Sequence, residues 1–242
     1  RLALNRRNNH VIFQNPDDRD LFAKMGLLSR CQVSLIPGSG VDLNLIRPAT
    51  LPKGPPLVLM PCRMLKDKGV AEFVGAARLL HAKGVRATFR LLGDPDPGNP
   101  TTVTQTQLDA WVDEGIVQWH PNSRNINAEL ARAHIIALPS YREGFPKTLV
   151  DASAAGRAAV TSDVPGCRHA IIPGETGLLF KARDAADMAA VLETLLADPA
   201  QIARMGLAAR KLAESRYDIE KIVAAHLDIY QRSLATSDTD RM

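Results

Sequence analysis

Several features that would indicate a particular class of protein are scarce in this chain of 242 residues. Only 5% of the residues are aromatic, so the stacking platforms that bind single-stranded nucleic acid are not expected. A net charge of +4 is too small for the concentrated basic face of a nucleic-acid-binding protein, although it is compatible with weak attraction to phosphates. No apolar run approaches the roughly 20 residues of a membrane-spanning helix. With 45% hydrophobic residues, the chain can nevertheless bury a full core.

Cysteine is also sparse, and histidine shows no metal-binding spacing. The three cysteines, Cys31, Cys62 and Cys167, form neither a Cys-x-x-Cys pair nor a disulfide framework, which favours a reducing cytoplasm. The six histidines are scattered, and His134, at a helix-to-strand junction, is expected to be packed rather than to bind a ligand. We therefore expect no metal ion and no cofactor.

Strand-like runs alternate with helix-like runs along most of the chain. Strands are predicted at 33–36, 57–60, 88–92, 117–120, 135–138, 158–161 and 178–180. Helices are predicted after the strand at 33–36, from Val70, Thr104, Ile126 and Pro146, and after Asp184 and Asp198. This alternation predicts an α/β fold, with a Rossmann-like parallel sheet covered by helices on both faces. In such sheets, ligands bind beyond the carboxyl ends of the strands.

The segment from Pro139 to Gly156 carries the strongest functional signal. A polar loop with Glu143 follows a buried strand, Pro146 suits a first helical position, and Gly156 suits the position just past a helix end. Asp151 then lies roughly 7 Å along the helix from its N-terminus. The helix N-terminus itself favours the binding of phosphate. Two carboxylates flanking a phosphate site suit a nucleotide-sugar, since carboxylates bind sugar hydroxyls strongly. The alternative is an ordinary α/β unit with a solvated acid in its loop.

The same segment, Glu-Gly-Phe-Pro-Lys-Thr-Leu-Val-Asp-Ala-Ser-Ala-Ala-Gly, resembles the donor-site signature of the large retaining glycosyltransferase family with the GT-B fold. The resemblance implies that Glu143 contacts the donor sugar and that the acid eight positions later, Asp151, contacts the ribose. This chain departs from the family at Asp151, which is one methylene shorter than the usual glutamate. The residues between them are further donor-binding candidates, with backbone N–H groups near 145–147 assisting: Gly144, Phe145, Pro146, Lys147 and Thr148.

A second block resembles the same family. The strand at 57–60 is followed by Arg63, Lys68 and Gly69, and then by a helix from Val70. The resemblance implies that Arg63 and Lys68 neutralise the donor diphosphate, where fixed cations would stabilise the charge that develops on the leaving group. The alternative is a pair of solvated bases at a strand end. Lys66 is a poorer candidate, because only Lys68 abuts the glycine.

Weaker blocks complete the resemblance, which extends from about residue 33 to residue 230. Gly38 and Gly40 form a glycine-rich turn that can approach the donor phosphate, or simply a tight turn. Gly93, which ends the strand at 88–92, is a further donor-binding candidate. The resemblance implies that the loop with Asn122, Ser123 and Arg124 faces the nucleotide base, although a generic surface loop is the better reading for any one of these residues. Two later blocks, at 157–169 and 174–180, follow in the family's order.

The resemblance also implies a division of the chain. Residues 1–30, with a strand near residue 10 and a helix over 16–28, would be the end of the N-terminal acceptor domain and a linker. Residues 31–234 would be the donor domain, and residues 235–242 a frayed polar tail. Because a full enzyme of two domains has about 350 or more residues, most of the acceptor domain would be missing. Exposed apolar surface would then favour self-association.

The sequence therefore predicts the donor-binding half of a retaining glycosyltransferase. Its donor would be a nucleotide-sugar, most readily UDP-linked, and its acceptor a saccharide or lipid-linked molecule in cell-surface polysaccharide synthesis. We expect a cytoplasmic protein. The missing domain could associate peripherally with the inner membrane. Two alternatives remain: a nucleotide-sugar epimerase of the same double-Rossmann plan, and a non-catalytic nucleotide-sugar-binding module. A nicotinamide dehydrogenase is disfavoured because no Gly-x-Gly-x-x-Gly follows the early strands.

Overall fold

A computed structural model of the chain describes residue 4 and residues 9–239, the last five of these by their backbone alone. Of the predicted segments 1–30 and 235–242, residues 1–3, 5–8 and 240–242 lie outside the described residues. The chain folds around a six-stranded sheet in which every neighbouring pair is parallel and the order is β5-β4-β3-β6-β7-β8. Its strands are β3 (Leu57–Pro61), β4 (Thr88–Leu92), β5 (Gln118–His120), β6 (Ile135–Leu138), β7 (Ala158–Ser162) and β8 (Gly177–Phe180). A separate two-stranded parallel sheet pairs β1 (His10–Phe13) with β2 (Gln32–Leu35).

The described residues form eight α-helices: α1 (Pro16–Lys24), α2 (Val70–Ala82), α3 (Gln105–Asp113), α4 (Ile126–Arg132), α5 (Lys147–Ala154), α6 (Ala185–Leu196), α7 (Pro199–Leu212) and α8 (Ile219–Thr239). A 3₁₀ turn (Lys66–Lys68) precedes α2, and a π-helical segment (Ala213–Tyr217) precedes α8.

Helices cover both faces of the six-stranded sheet. Val58 and Met60 of β3 belong to a buried cluster with residues of α2, α3 and α6, whereas Leu59 between them belongs to a cluster with residues of α4 and α5. Since side chains alternate between the faces of a strand, these clusters lie on opposite faces. This double burial explains why β3 and β6 are continuous apolar runs in the sequence.

Four sequence predictions are corrected. The predicted strand at 33–36 does not join the main sheet but pairs with β1. No helix follows it in residues 36–56, where Pro48, Pro52 and further prolines remove backbone donors. Pro146 is the N-cap of α5 rather than its first residue, because its ψ of 117° is extended. At the other end of the chain, the backbone of α8 continues helical to Thr239, past the predicted end at residue 234.

No helix in the described part of the chain is long and apolar enough to cross a membrane.

Candidate functional site

A cleft of about 440 Å³ opens at the carboxyl edge of the main sheet. The chain runs from β3 outward to β5 and then returns to the other side of β3 as β6, so the strand order reverses beside this cleft. Such a reversal is where open α/β sheets bind ligands. The lining includes five residues predicted from the sequence: Arg63, Gly93, Asn122, Thr148 and Asp151.

Gly93 allows the loops after β3 and β4 to meet at this edge. Its φ of 142° is a conformation that favours glycine, and a Cβ placed there would lie only 2.0 Å from the carbonyl oxygen of Cys62. The Gly93 carbonyl in turn accepts a hydrogen bond of 2.9 Å from the indole Nε1 of Trp119. Gly93 is therefore required by backbone packing at the cleft, whether or not it also contacts a ligand.

Arg63 is held at the cleft by an internal carboxylate. Its Nη1 lies 2.8 Å from Oδ2 of Asp96, in the loop after β4, and its side chain is 62% exposed. An exposed ion pair of this kind contributes only about 0–1 kcal/mol. An anionic ligand can therefore displace Asp96 from Arg63 at little cost.

Glu143 and Lys68, both predicted from the sequence, form a direct ion pair. Lys68 Nζ lies 2.5 Å from Glu143 Oε1, and the Ser140 hydroxyl donates to the same oxygen at 2.7 Å. Both side chains are largely buried, and neither is among the residues that line the cleft. The structure thus pairs Lys68 with Glu143 and Arg63 with Asp96, rather than leaving two free cations side by side.

Cys62 is one of the residues that line the cleft. Burial raises the pKa of the Cys62 thiol to about 12, and the charges of Lys68, Glu143 and Arg63 act on it to a smaller extent. The charges of the three predicted catalytic residues therefore all act on one partly buried thiol. A thiol with so high a pKa stays protonated and is a packing group rather than a nucleophile.

Asp151 contributes a mostly buried carboxylate to the cleft. Burial raises the pKa of Asp151, while the ammonium group of Lys147, one helical turn earlier, acts in the opposite direction through an ion pair. The hydroxyl of Thr148 donates to the Pro61 carbonyl at 3.1 Å and ties the first turn of α5 to the end of β3. The start of α5 is thus fixed against the end of β3, just before the loop that carries Arg63.

The N-terminus of α5 presents free backbone donors. Pro146 offers no side-chain cap, and nothing among the described residues accepts from the N–H groups of Phe145, Lys147 or Thr148. Uncapped N–H groups at a helix start, together with the helix dipole, bind anions well. Across the described residues, no group of three or more His, Cys, Asp or Glu side chains is placed to bind a metal ion.

The structure does not bring Gly38, Gly40 or the ring of Phe145 into the lining of the cleft. A Cβ on Gly38 would lie 2.8 Å from Cδ1 of Phe145, and one on Gly40 would lie 3.0 Å from Cα of Ile219. The Phe145 ring packs edge-on against Tyr217 at 5.5 Å. All three residues pack in the described structure, and their contact with a ligand stays a prediction.

The loop after β5 contributes only Asn122 to the cleft. Its backbone N–H donates to Oδ1 of Asp94 at 3.1 Å, which holds this loop to the loop after β4. Ser123 accepts from the Asn125 N–H at 3.2 Å, and Arg124 is exposed. His134 is packed as predicted: its Nδ1 accepts from the Leu57 N–H at 3.0 Å.

Sequence reasoning missed three residues that shape the site. A Cβ on Gly69 would lie 2.1 Å from the Pro139 carbonyl oxygen, and one on Gly166 would lie 2.3 Å from that of Glu143. Asn15 is fully buried and donates to the Gly144 carbonyl at 2.7 Å. Gly69 stands beside the predicted site residue Lys68 in the sequence, but no sequence pattern identifies the partners of these three contacts.

Comparison with known proteins identifies the family of the chain. Residues 43–212 match the model of the family described as glycosyl transferases group 1. The chain is 31% identical over 238 residues to the N,N'-diacetylbacillosaminyl-diphospho-undecaprenol alpha-1,3-N-acetylgalactosaminyltransferase of Campylobacter jejuni, covering 93% of this chain and 60% of the relative. The chain thus spans less than two thirds of that protein's length.

Solved structures show the same architecture. Sucrose-phosphate synthase from Thermosynechococcus elongatus matches with a TM-score of 0.82 and 26% identity, over 95% of this chain and 60% of that one. Anabaena Alr3699/HepE in complex with UDP matches with a TM-score of 0.80 and 20% identity, over 92% of this chain and 63% of that one. The predicted fold, a Rossmann-like domain forming one half of a GT-B fold, is confirmed. Because the family model matches most of its length, the chain belongs to the glycosyl transferases group 1 family.

Proposed function

We propose that this chain is the donor-binding half of a retaining glycosyltransferase whose donor is a UDP-linked sugar. The observation that carries the proposal is the convergence of Arg63, the uncapped start of α5 and the Asp151 carboxylate around one cleft. A cation and free N–H groups suit a diphosphate, and a neighbouring carboxylate suits ribose hydroxyls. Alr3699/HepE, which has the same fold, was solved with UDP.

The residues then take separate roles. Arg63 exchanges Asp96 for the diphosphate. The N–H groups of Phe145, Lys147 and Thr148 bind the same phosphates. Asp151 accepts from the ribose. Glu143, held by Lys68 and Ser140 just beyond Cys62, contacts the sugar. Positive charge and N–H groups fixed at the β-phosphate stabilise the leaving group as the sugar bond breaks. No protein base from this half is required for transfer with retention.

We further propose that the acceptor is lipid-linked and that the product enters a cell-surface polysaccharide. The Campylobacter jejuni relative is named for transfer to a diphospho-undecaprenol-linked sugar, with formation of an alpha-1,3 linkage. A protein acting on such an acceptor would work at the cytoplasmic face of the inner membrane. This part of the proposal depends on that similarity alone.

Calorimetric titration tests the donor site. UDP, UMP, GDP and a UDP-sugar are titrated into the unaltered chain and into the Arg63→Ala, Lys68→Ala and Glu143→Ala variants. Lys66→Ala is the matched control for Lys68→Ala. It removes the same charge from a side chain that lies two residues earlier and is exposed. We expect saturable UDP binding that is weakened about tenfold by Arg63→Ala, the loss of one charge-assisted hydrogen bond.

The two lysine variants separate a specific role from a general charge effect. Lys68→Ala should weaken binding of UDP-sugars, whereas Lys66→Ala should leave it unchanged. Equal effects of the two would show that only net charge matters. Unchanged UDP binding by Arg63→Ala would refute the assignment of the cleft.

A further inference from the structure

The turn that leads into α1 is locked onto the loop that carries Glu143. Asn15, between β1 and α1, is fully buried although it lies on a polar turn. One of its amide hydrogens is donated to the Gly144 carbonyl at 2.7 Å, across 129 positions of sequence, and the other to Asp18 at 2.7 Å. Its Oδ1 accepts from the Asp18 N–H at 2.8 Å and so caps α1. Both amide hydrogens and the amide oxygen of this side chain therefore have partners.

Charged groups reinforce this contact at its rim. Asp18 pairs with Arg142, the residue before Glu143. Asp17 lies 2.9 Å from Nε2 of His169 and 3.3 Å from Nη1 of Arg168, in the loop after β7. The start of α1 is thus fixed both to the loop that carries Glu143 and to the loop after β7.

The loop itself has little room to take another conformation. A Cβ on Gly144 would lie 3.0 Å from Oε1 of Gln14, and one on Gly166 would lie 2.7 Å from the Gly144 carbonyl oxygen. The Gly144 carbonyl is therefore enclosed by the turn before α1 on one side and by the backbone of the loop after β7 on the other.

The orientation of this carbonyl decides where the next N–H points. In a trans peptide the C=O and the N–H point in opposite directions, and the structure has no cis peptide bond among its described residues. With its carbonyl bound to Asn15, the Gly144–Phe145 peptide directs the Phe145 N–H away from α1. That N–H has no acceptor among the described residues.

We propose that Asn15 is a positioning residue of the donor site: it binds the Gly144 carbonyl so that the Phe145 N–H is aimed at the terminal phosphate of the bound nucleoside diphosphate. This rests on the proposed function, and it makes the turn before α1 part of the donor site rather than only the end of a preceding domain. Without the Asn15 donor, the peptide loses its fixed orientation and the phosphate loses a preorganised partner.

The test separates the donor from the cap. Asn15→Asp keeps an oxygen that caps α1 but cannot donate to Gly144, and Asn15→Ser keeps a capping hydroxyl, without added charge, that is too short to reach Gly144. Asp198→Ser is the matched control, because Asp198 caps α7 by accepting from the Gln201 N–H at 2.9 Å. Affinities for UDP and UMP are measured for the full chain by calorimetry.

Because UMP lacks the terminal phosphate, the two nucleotides give the specific readout. We expect both Asn15 variants to bind UDP about tenfold more weakly, as for one lost hydrogen bond to a charged group, with UMP affinity unchanged within about twofold. Asp198→Ser should change neither. UDP affinity within about twofold of the unaltered chain in both Asn15 variants, or an equal loss for UMP, would overturn the proposal.

A second measurement needs no nucleotide. In isotope-labelled, ligand-free protein, the carbonyl resonance of Gly144 and the amide resonance of Phe145 should shift in both Asn15 variants and stay in place in Asp198→Ser. Unshifted resonances would refute the hydrogen bond itself. If they shift but the unaltered chain binds neither nucleotide, the proposed donor site fails and the role of Asn15 in it fails too, while the peptide contact stands.

Discussion

Replacing Gly69 with alanine should destabilise the protein far more than the same replacement at Gly84. The two glycines flank α2, one at its N-cap and one just past its end, and both have left-handed backbones, with φ of 78° and 76°. Only their surroundings differ. A Cβ on Gly69 would lie 2.1 Å from the Pro139 carbonyl oxygen, whereas one on Gly84 would meet nothing within 4 Å.

The expected magnitudes follow from this difference. Both variants place alanine in a left-handed conformation, which costs about 1 kcal/mol. Gly69→Ala must also push α2 away from the end of β6 by about an ångström, and forced overpacking costs about 1–3 kcal/mol more. We therefore expect a loss of roughly 3 kcal/mol for Gly69→Ala and about 1 kcal/mol for Gly84→Ala, out of a total stability of about 5–15 kcal/mol.

Urea denaturation of both variants measures these free energies of unfolding. If Gly69→Ala does not fold, its failure beside a folded Gly84→Ala supports the same conclusion. The displacement should also separate Lys68 from Glu143, since the 3₁₀ turn before Gly69 and the loop after Pro139 carry these two side chains. Unfolding free energies within about 0.5 kcal/mol of each other would refute the reasoning, because the close contact would then cost nothing.

Three further predictions concern buried polar groups. Asp151→Asn should weaken UDP binding but raise the melting temperature at pH 7. The melting temperature should rise because burial of the Asp151 carboxylate, which raises its pKa, outweighs the pairing with Lys147. A lower melting temperature would contradict this. Arg157→Met should cost roughly 3 kcal/mol in urea denaturation, since the buried guanidinium donates to three backbone carbonyls that would lose their donor. Burial lowers the pKa of His134 below 6.5, so the unfolded chain takes up the proton first and stability should fall as pH drops below about 6.5. Melting temperatures between pH 7 and 5 should show a smaller decline in His134→Gln, and an equal decline would exclude His134 as the cause.

The parts of the fold that sequence reasoning predicted well are those governed by local patterns. β6 has the predicted bounds, because an uninterrupted apolar run is typical of a strand buried on both faces. β4 also has the predicted bounds, although Arg90 interrupts its apolar run. The cleft residues Arg63, Gly93 and Asp151 could be grouped in advance, because parallel strands place their carboxyl ends, and the helices that follow them, at one edge.

The parts that could not be predicted depend on contacts between distant residues. No local pattern shows that Asp96 binds Arg63, that Lys68 binds Glu143, or that Asn15 reaches Gly144. The strand at 33–36 was placed in the wrong sheet for the same reason, since an apolar run shows that a strand forms but not which strand it joins. The helix predicted after it is wrong because the prolines of that segment lack the backbone N–H that a helix interior requires.

The central claim is that the cleft at the carboxyl edge of the main sheet binds the donor nucleotide. Mapping backbone amide resonances of the isotope-labelled chain during titration with UDP tests it most directly. The account predicts saturable shifts at Arg63, Gly93, Asn122, Thr148 and Asp151, and at the Phe145 amide. Shifts confined to another surface, such as the groove formed by Ser39, Val223 and Tyr230 beside α8, or none at all at saturating UDP, would contradict it.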